Sequence, residues 1–365
     1  YKVNDEDLAA IVYTSGTTGV SKGVMLTHKN IASNAVGACK NVTAIGSTVC
    51  VLPLHHTFAF TLGICAILLY RETIYINRSL KNITSDMQKA KPSYMFLVPM
   101  IAEAMYKKIW SSAKEQGKDK ALKLLIKFSN LLLAVGIDMR RKLFKSVLAA
   151  FGGNLDWVSC GGAAIDIKYI KGFREFGVNI INGYGITECS PIVASNRPKF
   201  WVDGSVGIPV YGCEIKIDSP NQDNEGEILV KGSGVMKGYY KNETATKQAF
   251  DNGWFKTGDI GKYENGVLYI TGRKKNVIIL SNGKNIYPEE LELLLADITG
   301  IDECMVYEEN KLLTAEIYTK LTDRKLLETE IHRLNQKLPP YKQIMSIKFR
   351  EDEFPKTTTR KIKRR

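Results

Sequence analysis

The fold of this chain is decided by eleven residues near its start, Tyr13-Thr14-Ser15-Gly16-Thr17-Thr18-Gly19-Val20-Ser21-Lys22-Gly23. An apolar, strand-like run, Ala10 to Tyr13, leads directly into them. Hydroxyls and backbone N–H groups in such a loop can surround phosphate oxygens, glycines allow close approach, and a lysine adds a positive charge. A Walker A loop needs glycine before its Lys-Ser/Thr pair, whereas Ser21 precedes Lys22 here. The stretch therefore predicts a phosphate-binding loop of another type.

The sequence around this loop alternates between short apolar runs and helical patterns. Strand-like runs are predicted at 48–54, 94–98, 157–159 and 179–181, with helical patterns at 30–39 and 101–148. In the second helical region, Leu122, Leu125, Ile126 and Ser129 are spaced to lie on one face. This alternation predicts an α/β fold built on a mainly parallel sheet.

The pattern changes after Trp201 to short strands separated by glycines, which indicates a small β-barrel or sandwich. A composition shift at Gly272-Arg273-Lys274-Lys275 predicts a domain boundary. Beyond it, a helix from Pro288, a strand pair at 303–307 and 312–318 with its turn at 308–310, a helix at 323–338 and a strand at 345–350 form a small α+β unit. We therefore expect a large domain, 1–272, with its barrel-like part at about 201–272, and a small mobile domain, 273–365.

Composition indicates a globular enzyme, with 44% apolar and 24% charged residues in 365. The longest apolar run, 58–70, reads as a buried helix because it is too short to span a bilayer. Seven scattered cysteines without a CxxC pair, and the lack of a signal-peptide pattern, favour reduced thiols in the cytoplasm.

The net charge of +13 is concentrated between 107 and 145, where eleven Lys or Arg stand against three Asp or Glu. This segment is either a solvated helical face or a surface attracted to an anionic membrane or to ATP and CoA. Peripheral contact with a membrane is thus one interpretation of this basic segment. No nucleic-acid-binding signature accompanies the charge, so no nucleic-acid partner is predicted.

Further motifs follow the loop in a fixed order. They are Leu52-Pro53-Leu54-His55-His56, Ser159-Cys160-Gly161-Gly162-Ala163-Ala164, Asn182-Gly183-Tyr184-Gly185-Ile186-Thr187-Glu188, Thr257-Gly258-Asp259, Gly272-Arg273, the run from Ser281 to Glu290, and the run from Pro355 to Arg365. The second and third each follow a predicted strand, where open α/β sheets bind ligands. Glu188 suits Mg²⁺, which prefers one or two carboxylates with phosphate oxygens, and a carboxylate such as Asp259 can accept both ribose hydroxyls.

Taken together, these motifs resemble the adenylate-forming superfamily, which includes acyl-CoA synthetases, luciferases and peptide-synthetase adenylation domains. The resemblance runs through the whole chain and implies the following roles. The phosphates of ATP would be bound by Thr14, Ser15, Gly16, Thr17, Thr18, Gly19 and Lys22, and the adenine by Gly161, Gly162, Ala163, Asn182, Gly183, Tyr184 and Gly185. Thr187 would contact the α-phosphate, Glu188 and Thr14 would hold Mg²⁺, and Asp259 and Arg273 would bind the ribose.

The resemblance also implies roles outside the nucleotide. His56, favoured over His55, would wall the acid pocket, Gly283 would line the passage for the pantetheine arm of CoA, Lys275 would be the hinge, and Lys361 would be the catalytic lysine. Arg360 departs from the family, which has glycine immediately before that lysine. This departure puts the local backbone geometry of the loop in question.

The implied activity is that of an ATP-dependent acid:CoA ligase that works through an acyl-AMP intermediate. The helical, basic segment 103–148 resembles a stretch of long-chain members, which favours a long-chain fatty acid. A medium-chain or aryl acid ligase, an acyl-carrier-protein ligase, a peptide-synthetase adenylation domain and a catalytically silent nucleotide-binding fragment are the alternatives. Because members of the superfamily carry a further α/β subdomain before the phosphate loop, we expect this chain by itself to be incomplete, less stable and weakly active.

Overall fold

A computed structural model describes residues 2–14, 21–42, 46–280, 285–356 and 362–364. The chain divides into two units, which are described separately. Unit 1 comprises 1–216, 229–257 and 263–269, and unit 2 comprises 217–228, 258–262 and 270–365. The predicted domain boundary at 272/273 differs from this division, because it assigns 217–228 and 258–262 to the first domain. The boundary remains a prediction.

The α-helices are α1 His28–Asn41, α2 Ile67–Leu69, α3 Ile83–Ala90, α4 Pro99–Glu115, α5 Asp119–Ala134, α6 Arg140–Leu143, α7 Lys145–Ala149, α8 Ile167–Glu175, α9 Glu243–Ala249, α10 Pro288–Ala296 and α11 Arg324–Asn335. The strands are β1 Leu8–Thr14, β2 Lys22–Thr27, β3 Thr48–Cys50, β4 Ile74–Ile76, β5 Tyr94–Leu97, β6 Trp157–Cys160, β7 Asn179–Gly185, β8 Ile192–Ser195, β9 Ile208–Pro209, β10 Cys213–Asp218, β11 Gly226–Gly232, β12 Gly238–Tyr239, β13 Phe250–Asp251, β14 Trp254–Glu264, β15 Val267–Arg273, β16 Ile278–Ile279, β17 Asn285–Ile286, β18 Glu303–Glu309, β19 Leu312–Tyr318 and β20 Ser346–Arg350.

A seven-stranded sheet forms the centre of unit 1, in the order β4-β3-β5-β6-β7-β8-β9. The first five strands are parallel, whereas β8 and β9 pair antiparallel. Its central strands are short apolar runs because both faces are covered, and Val49, Met95, Val158 and Ile180 belong to the same buried core as residues of α3, α4 and α8. The predicted α/β fold with a mainly parallel sheet is confirmed.

A smaller antiparallel sheet in unit 1 has the order β1-β2-β12. Thr14, the last residue of β1, stands opposite Lys22, the first residue of β2. Tyr239 of β12 pairs with Val24 on the other side of β2. Thr27 ends β2 and caps α1 through a reciprocal pair of hydrogen bonds with Asn30, which fixes how the chain leaves the sheet.

The basic region 99–149 is helical, as predicted, and α4 begins with Pro99 at a position where its missing N–H costs nothing. In α5, two of the four residues that the spacing places on one face, Ile126 and Ser129, are buried. Leu122 and Leu125 pack beside them against a cluster that contains Phe144 and Phe176. Among the described residues, no helix combines the length and apolar character needed to cross a membrane.

The predicted barrel-like part contains a five-stranded sheet with the order β10-β11-β14-β13, and β15 pairs with β14. In unit 2, β18, β19 and β20 form a mixed sheet, because β19 pairs antiparallel with β18 and parallel with β20. Leu291 and Leu295 of α10 and Ile331 of α11 belong to the same buried core as Val306 and Ile317 of this sheet. The small α+β unit is therefore present as predicted.

The main differences from the predictions are the following. Strand β3 ends at Cys50 rather than at 54, and the turn after β18 is formed by Asn310 and Lys311, both with positive φ, rather than by 308–310. The apolar run 58–70 is a π-helix, Phe58–Ala66, followed by α2, and Leu68 and Leu69 are more than half exposed. Strand β7 extends to Gly185, because β8 pairs with the segment predicted to follow it.

None of the seven cysteines, all of which lie in the described ranges, is paired with another, and Cys50, Cys160, Cys189 and Cys304 are buried.

Candidate nucleotide-binding site

Two glycine-containing segments lie side by side at the carboxyl edge of the large sheet. Strand β6 ends at Cys160, which pairs with Asn182 in β7, and this register brings Gly161 close to Gly183. A Cβ placed on Gly161 would lie 3.5 Å from the carbonyl oxygen of Gly183. Gly162 has φ +87°, a conformation that favours glycine, and it is exposed. The turn therefore offers bare backbone on which a flat base could lie.

Among the residues that the structure describes, the side-chain amide of Asn182 makes a hydrogen bond through its nitrogen but not through its oxygen. Its Nδ2 donates to the carbonyl oxygen of Ser205 at 3.4 Å, whereas its Oδ1 is buried and has no hydrogen-bond partner within the described ranges. A buried acceptor without a donor is costly, so native structures rarely leave one. The exocyclic amine of adenine is a donor of the required kind. The orphan oxygen is thus a structural observation that fits the predicted role of Asn182.

Glu188 sits in a single 3-10 turn, Thr187–Cys189, just after β7. The hydroxyl of Tyr239 donates to Glu188 Oε1 at 3.0 Å, and the N–H of Met236 donates to the Glu188 carbonyl oxygen at 2.8 Å. Burial, and then the neighbouring Glu188 carboxylate, raise the pKa of Tyr239. The phenol therefore stays protonated at neutral pH and donates to one carboxylate oxygen of Glu188.

The same tyrosine faces the phosphate-loop lysine. Lys22 Nζ lies 4.9 Å from the centroid of the Tyr239 ring, within the range of a cation–π contact. Tyr239 thus joins the ammonium of Lys22 to the carboxylate of Glu188. Sequence reasoning missed this residue, although the run Gly238-Tyr239-Tyr240 is an aromatic pair after a glycine that could have drawn attention.

The other predicted residues of unit 1 have the following positions. Tyr184 and Thr187 are half-buried in and just after β7, and Ala163 is exposed beside Gly162. The His56 ring is half-buried, with its centroid 4.2 Å from that of His55. Ser15, Gly16, Thr17, Thr18 and Gly19 lie outside the described residues, and so do Gly283 and Lys361 of unit 2. Their predicted roles are neither supported nor opposed by geometry.

In unit 2, the two residues predicted to bind the ribose are in contact with each other. Arg273 Nε lies 2.7 Å from Asp259 Oδ1, and Asp259 is almost completely buried. Next to them, Lys274 Nζ donates to Glu227 Oε2 at 2.6 Å, and Glu227 also accepts from the N–H of Gly258 at 3.1 Å. Glu227 thus connects the residue before Asp259 with the residue after Arg273. Ribose binding by the pair stays a prediction.

Lys275, the predicted hinge, follows this cluster on an exposed 3-10 turn, Lys274–Asn276. Partial burial, followed by the positive charges of Arg273 and Arg364, lowers the pKa of Lys275. The hinge role stays a prediction.

No cluster of three His, Cys, Asp or Glu suited to a metal occurs in the described part of the chain. Mg²⁺ does not need one, because it is commonly held by one or two carboxylates together with water and substrate phosphates. Glu188 supplies such a carboxylate, and Thr14, the last residue of β1, is the hydroxyl predicted to accompany it. The residues present therefore fit the predicted ion.

Comparison with known proteins gives one family and a consistent set of relatives. The family model described as AMP-binding enzyme matches residues 1–240. A long-chain-fatty-acid–[acyl-carrier-protein] ligase of Arabidopsis thaliana is 32% identical, over 80% of this chain and 48% of its own length. A long-chain-fatty-acid–CoA ligase of Mycobacterium bovis is 35% identical, over 78% of this chain and 50% of its own length. The chain thus spans about half the length of these curated relatives.

Solved structures agree on the fold. The o-succinylbenzoate coenzyme A synthetase of Bacillus subtilis, in complex with ATP and magnesium ion, superimposes with a TM-score of 0.78 at 25% identity. The match covers 99% of this chain and 70% of that one. The same enzyme in complex with its acyl-adenylate intermediate gives a TM-score of 0.80 at 24% identity, over 99% of this chain and 69% of that one.

Proposed function

Because this chain belongs to the family of AMP-binding enzymes, we propose that the protein is an ATP-dependent acid:CoA ligase that forms its product through an acyl-AMP intermediate. In the first half-reaction the carboxylate of the acid attacks the α-phosphate of ATP, and pyrophosphate leaves. In the second, the thiolate of CoA attacks the acyl carbon, and AMP leaves. Neither step needs a protein nucleophile, so catalysis rests on alignment and on neutralising phosphate charge.

The observation that carries this proposal is the arrangement of Lys22, Tyr239 and Glu188 at the edge of the sheet. It holds a positive charge for phosphate oxygens and a carboxylate for Mg²⁺ on the two sides of one aromatic side chain. When bound, Mg²⁺ would neutralise charge on the phosphates of ATP. Asn182, with its buried free acceptor, orients the adenine, and Thr187 lies next to Glu188 for the α-phosphate.

An apolar cavity behind this edge supports a fatty acid as substrate. It is partly open to solvent, and its lining is mainly apolar and includes Leu62, Ala66, Tyr94 and Phe96. The Phe96 ring meets the Phe58 ring edge-on at 6.0 Å between centroids. Phe58 in turn lies beside Gly161, since a Cβ on Gly161 would be 3.6 Å from the Phe58 Cζ. An acyl chain in the cavity would therefore bring its carboxylate towards the nucleotide edge.

The names of the relatives support a long-chain acid and leave two acceptors to compare. One relative is named as a ligase to CoA and another as a ligase to acyl-carrier protein. We propose CoA as the acceptor. We also propose peripheral contact with a membrane, because the exposed basic segment 107–145 suits an anionic surface.

The test is acid-dependent pyrophosphate release by the full protein over fatty acids of increasing chain length, with CoA or holo-acyl-carrier protein as acceptor. We expect release to be greatest with long-chain acids and thioester to form on CoA. Ala66→Phe, which adds bulk at the cavity wall, should lower turnover of long acids about tenfold and that of short acids much less, so the short acid is the internal control. Activity with aryl or short acids alone would contradict the substrate assignment. Thioester only on the carrier protein would contradict the acceptor.

Tyr239 provides a prediction that separates its two contacts. Tyr239→Phe keeps the ring beside Lys22 but removes the hydrogen bond to Glu188, so we expect the KM for MgATP to rise about fivefold, as for the loss of about 1 kcal/mol. Tyr239→Leu removes both contacts and should raise it further, to about thirtyfold. Steady-state kinetics at varied ATP and Mg²⁺ measure the effect.

Tyr240→Phe is the matched control for this pair, because Tyr240 is the exposed neighbour in the same aromatic run. Equal kinetics for Tyr239→Phe and the control would show that the phenol does not serve the ATP site.

A further inference from the structure

Helix α5 carries a row of large apolar side chains that face away from its own packing contacts. Leu124, Phe128, Leu131 and Val135, the last just beyond the helix end, are 67%, 54%, 72% and 70% exposed. Their spacing of four, three and four residues places them on one side of the helix. We call these four residues the outer stripe. Contiguous exposed apolar side chains of this size mark an interaction surface rather than an ordinary protein surface.

The packing of α5 on unit 1 does not use the outer stripe. Ile126 and Ser129 are buried on the other side of the helix, where the Phe144 and Phe176 cluster lies. The helix is therefore already anchored by its inner face. Because the outer stripe contributes little to the fold of unit 1, its apolar character needs another explanation.

Positive charge lies along the edge of the outer stripe. Lys120, Lys123 and Lys127 are exposed and repeat a three- and four-residue spacing on the adjoining side of α5. The one acidic residue of the helix, Asp119, lies in its first turn. An apolar row bordered by lysines is typical of helices that lie in the plane of a membrane surface, because the lysine stems can follow the apolar boundary while the ammonium groups reach lipid phosphates.

The charges favour a membrane over a second copy of this chain. Two copies that met through their outer stripes would bring their lysines together, and juxtaposed like charges oppose association. An anionic bilayer satisfies both features at once. The 16 residues of α5 span about 24 Å, which is short of the roughly 30 Å of hydrocarbon, so the helix would lie on the membrane rather than cross it.

We propose that α5 is the membrane-binding element of this protein. The outer stripe inserts at the boundary between headgroups and acyl chains of an anionic bilayer, and Lys120, Lys123 and Lys127 contact the lipid phosphates. This rests on the peripheral membrane contact proposed above, and it does not require the ligase activity. It places the protein at the phase in which long-chain fatty acids dissolve.

The experiment is co-sedimentation of the full protein with vesicles of phosphatidylcholine alone, or with about a quarter phosphatidylglycerol. We expect binding to the mixed vesicles, weaker at high salt because screening reduces the attraction of the lysines. The variant Leu124→Ser/Phe128→Ser/Leu131→Ser should bind at least tenfold more weakly. The variant Lys120→Gln/Lys123→Gln/Lys127→Gln should lose the preference for phosphatidylglycerol. The substituted side chains are exposed, so the melting temperature should stay unchanged.

Leu68→Ser/Leu69→Ser is the matched control, because these two leucines are similarly exposed on α2. It should bind like the unsubstituted protein. If the unsubstituted protein does not bind either vesicle, the proposed membrane contact is wrong. If it binds and the outer-stripe variant binds equally well, the membrane contact stands and the assignment to α5 is overturned. A dimer that dissociates on substitution of the outer stripe would also overturn it. Acid-dependent pyrophosphate release, measured without vesicles, reports separately on the proposed ligase.

Discussion

We expect Glu188→Gln to lower the rate of acid-dependent pyrophosphate release by about a hundredfold, which corresponds to roughly 3 kcal/mol of lost transition-state stabilisation. Glutamine keeps the shape of the side chain and one oxygen for the Tyr239 hydroxyl, so the turn at Thr187–Cys189 should persist. What it removes is the negative charge proposed to hold Mg²⁺. The loss should therefore appear as a weaker response to Mg²⁺ together with a lower kcat.

The measurement is a Mg²⁺ titration of pyrophosphate release at saturating ATP. Glu243→Gln provides the control, since Glu243 is an exposed carboxylate of the same unit, at the start of α9. It should behave like the unsubstituted protein. A Glu188→Gln variant with normal Mg²⁺ dependence would show that this carboxylate does not hold the ion, while a shared loss in both variants would point to bulk charge.

The large sheet could be predicted because its information is local. Strands β5, β6 and β7 are each a short apolar run that the sheet buries, and each precedes a helical pattern or a glycine turn. The same reasoning stopped β7 too early, at 181. Its continuation to Gly185 depends on β8, which pairs Gly183 with Ser195. Pairing with a strand from later in the chain leaves no periodic pattern of apolar residues in the sequence of the strand that it extends.

The same limit explains why Tyr239 was missed. Glu188 and Lys22 were predicted as site residues from motifs, which are local, but the phenol that contacts both comes from a two-residue strand, β12. Its position depends on the pairing of Gly238 with Met25, far back in the chain. In α5 the difficulty was of another kind. The apolar residues form two faces, and periodicity alone does not say that the face with Leu131 is the exposed one.

Lys361→Ala is expected to abolish acyl-AMP formation, with at least a hundredfold loss, while conversion of supplied acyl-AMP and CoA to thioester is largely spared. The reason is the role that the resemblance gives to this lysine, which would bridge the attacking carboxylate and the α-phosphate in the first half-reaction only. One charge contact in a closed site accounts for about 3 kcal/mol. The two half-reactions are assayed separately, and equal loss of both would contradict the assignment.

The contacts of the described residues on both sides of 357–361 suggest a second variant that tests the role of Lys361 independently. Lys356 forms ion pairs with Glu303 and Glu353, and Lys363 N–H donates to the carbonyl oxygen of Pro355 at 2.8 Å. Arg364 binds both carboxylate oxygens of Glu292 at 2.6 Å and donates to the carbonyl oxygen of Val306 at 3.0 Å. The two ends of the segment are thereby attached to unit 2. We therefore propose Arg364 as a residue that helps to position segment 357–361, which includes Lys361.

Arg364→Ala should lower acyl-AMP formation about tenfold and change the thioester step much less. Burial raises the pKa of Glu292, and the charge of Arg364 opposes this effect by stabilising the ionised carboxylate. Removal of the arginine leaves a buried carboxylate without its ion-pair partner, so the melting temperature of the variant should also fall. Arg364→Lys restores the charge without the two-point contact and should recover part of the rate. Arg333→Ala is the control, because its ion pair with Glu330 is exposed and should matter little. A rate of acyl-AMP formation in Arg364→Ala equal to that in the control would show that anchoring of this segment does not position Lys361.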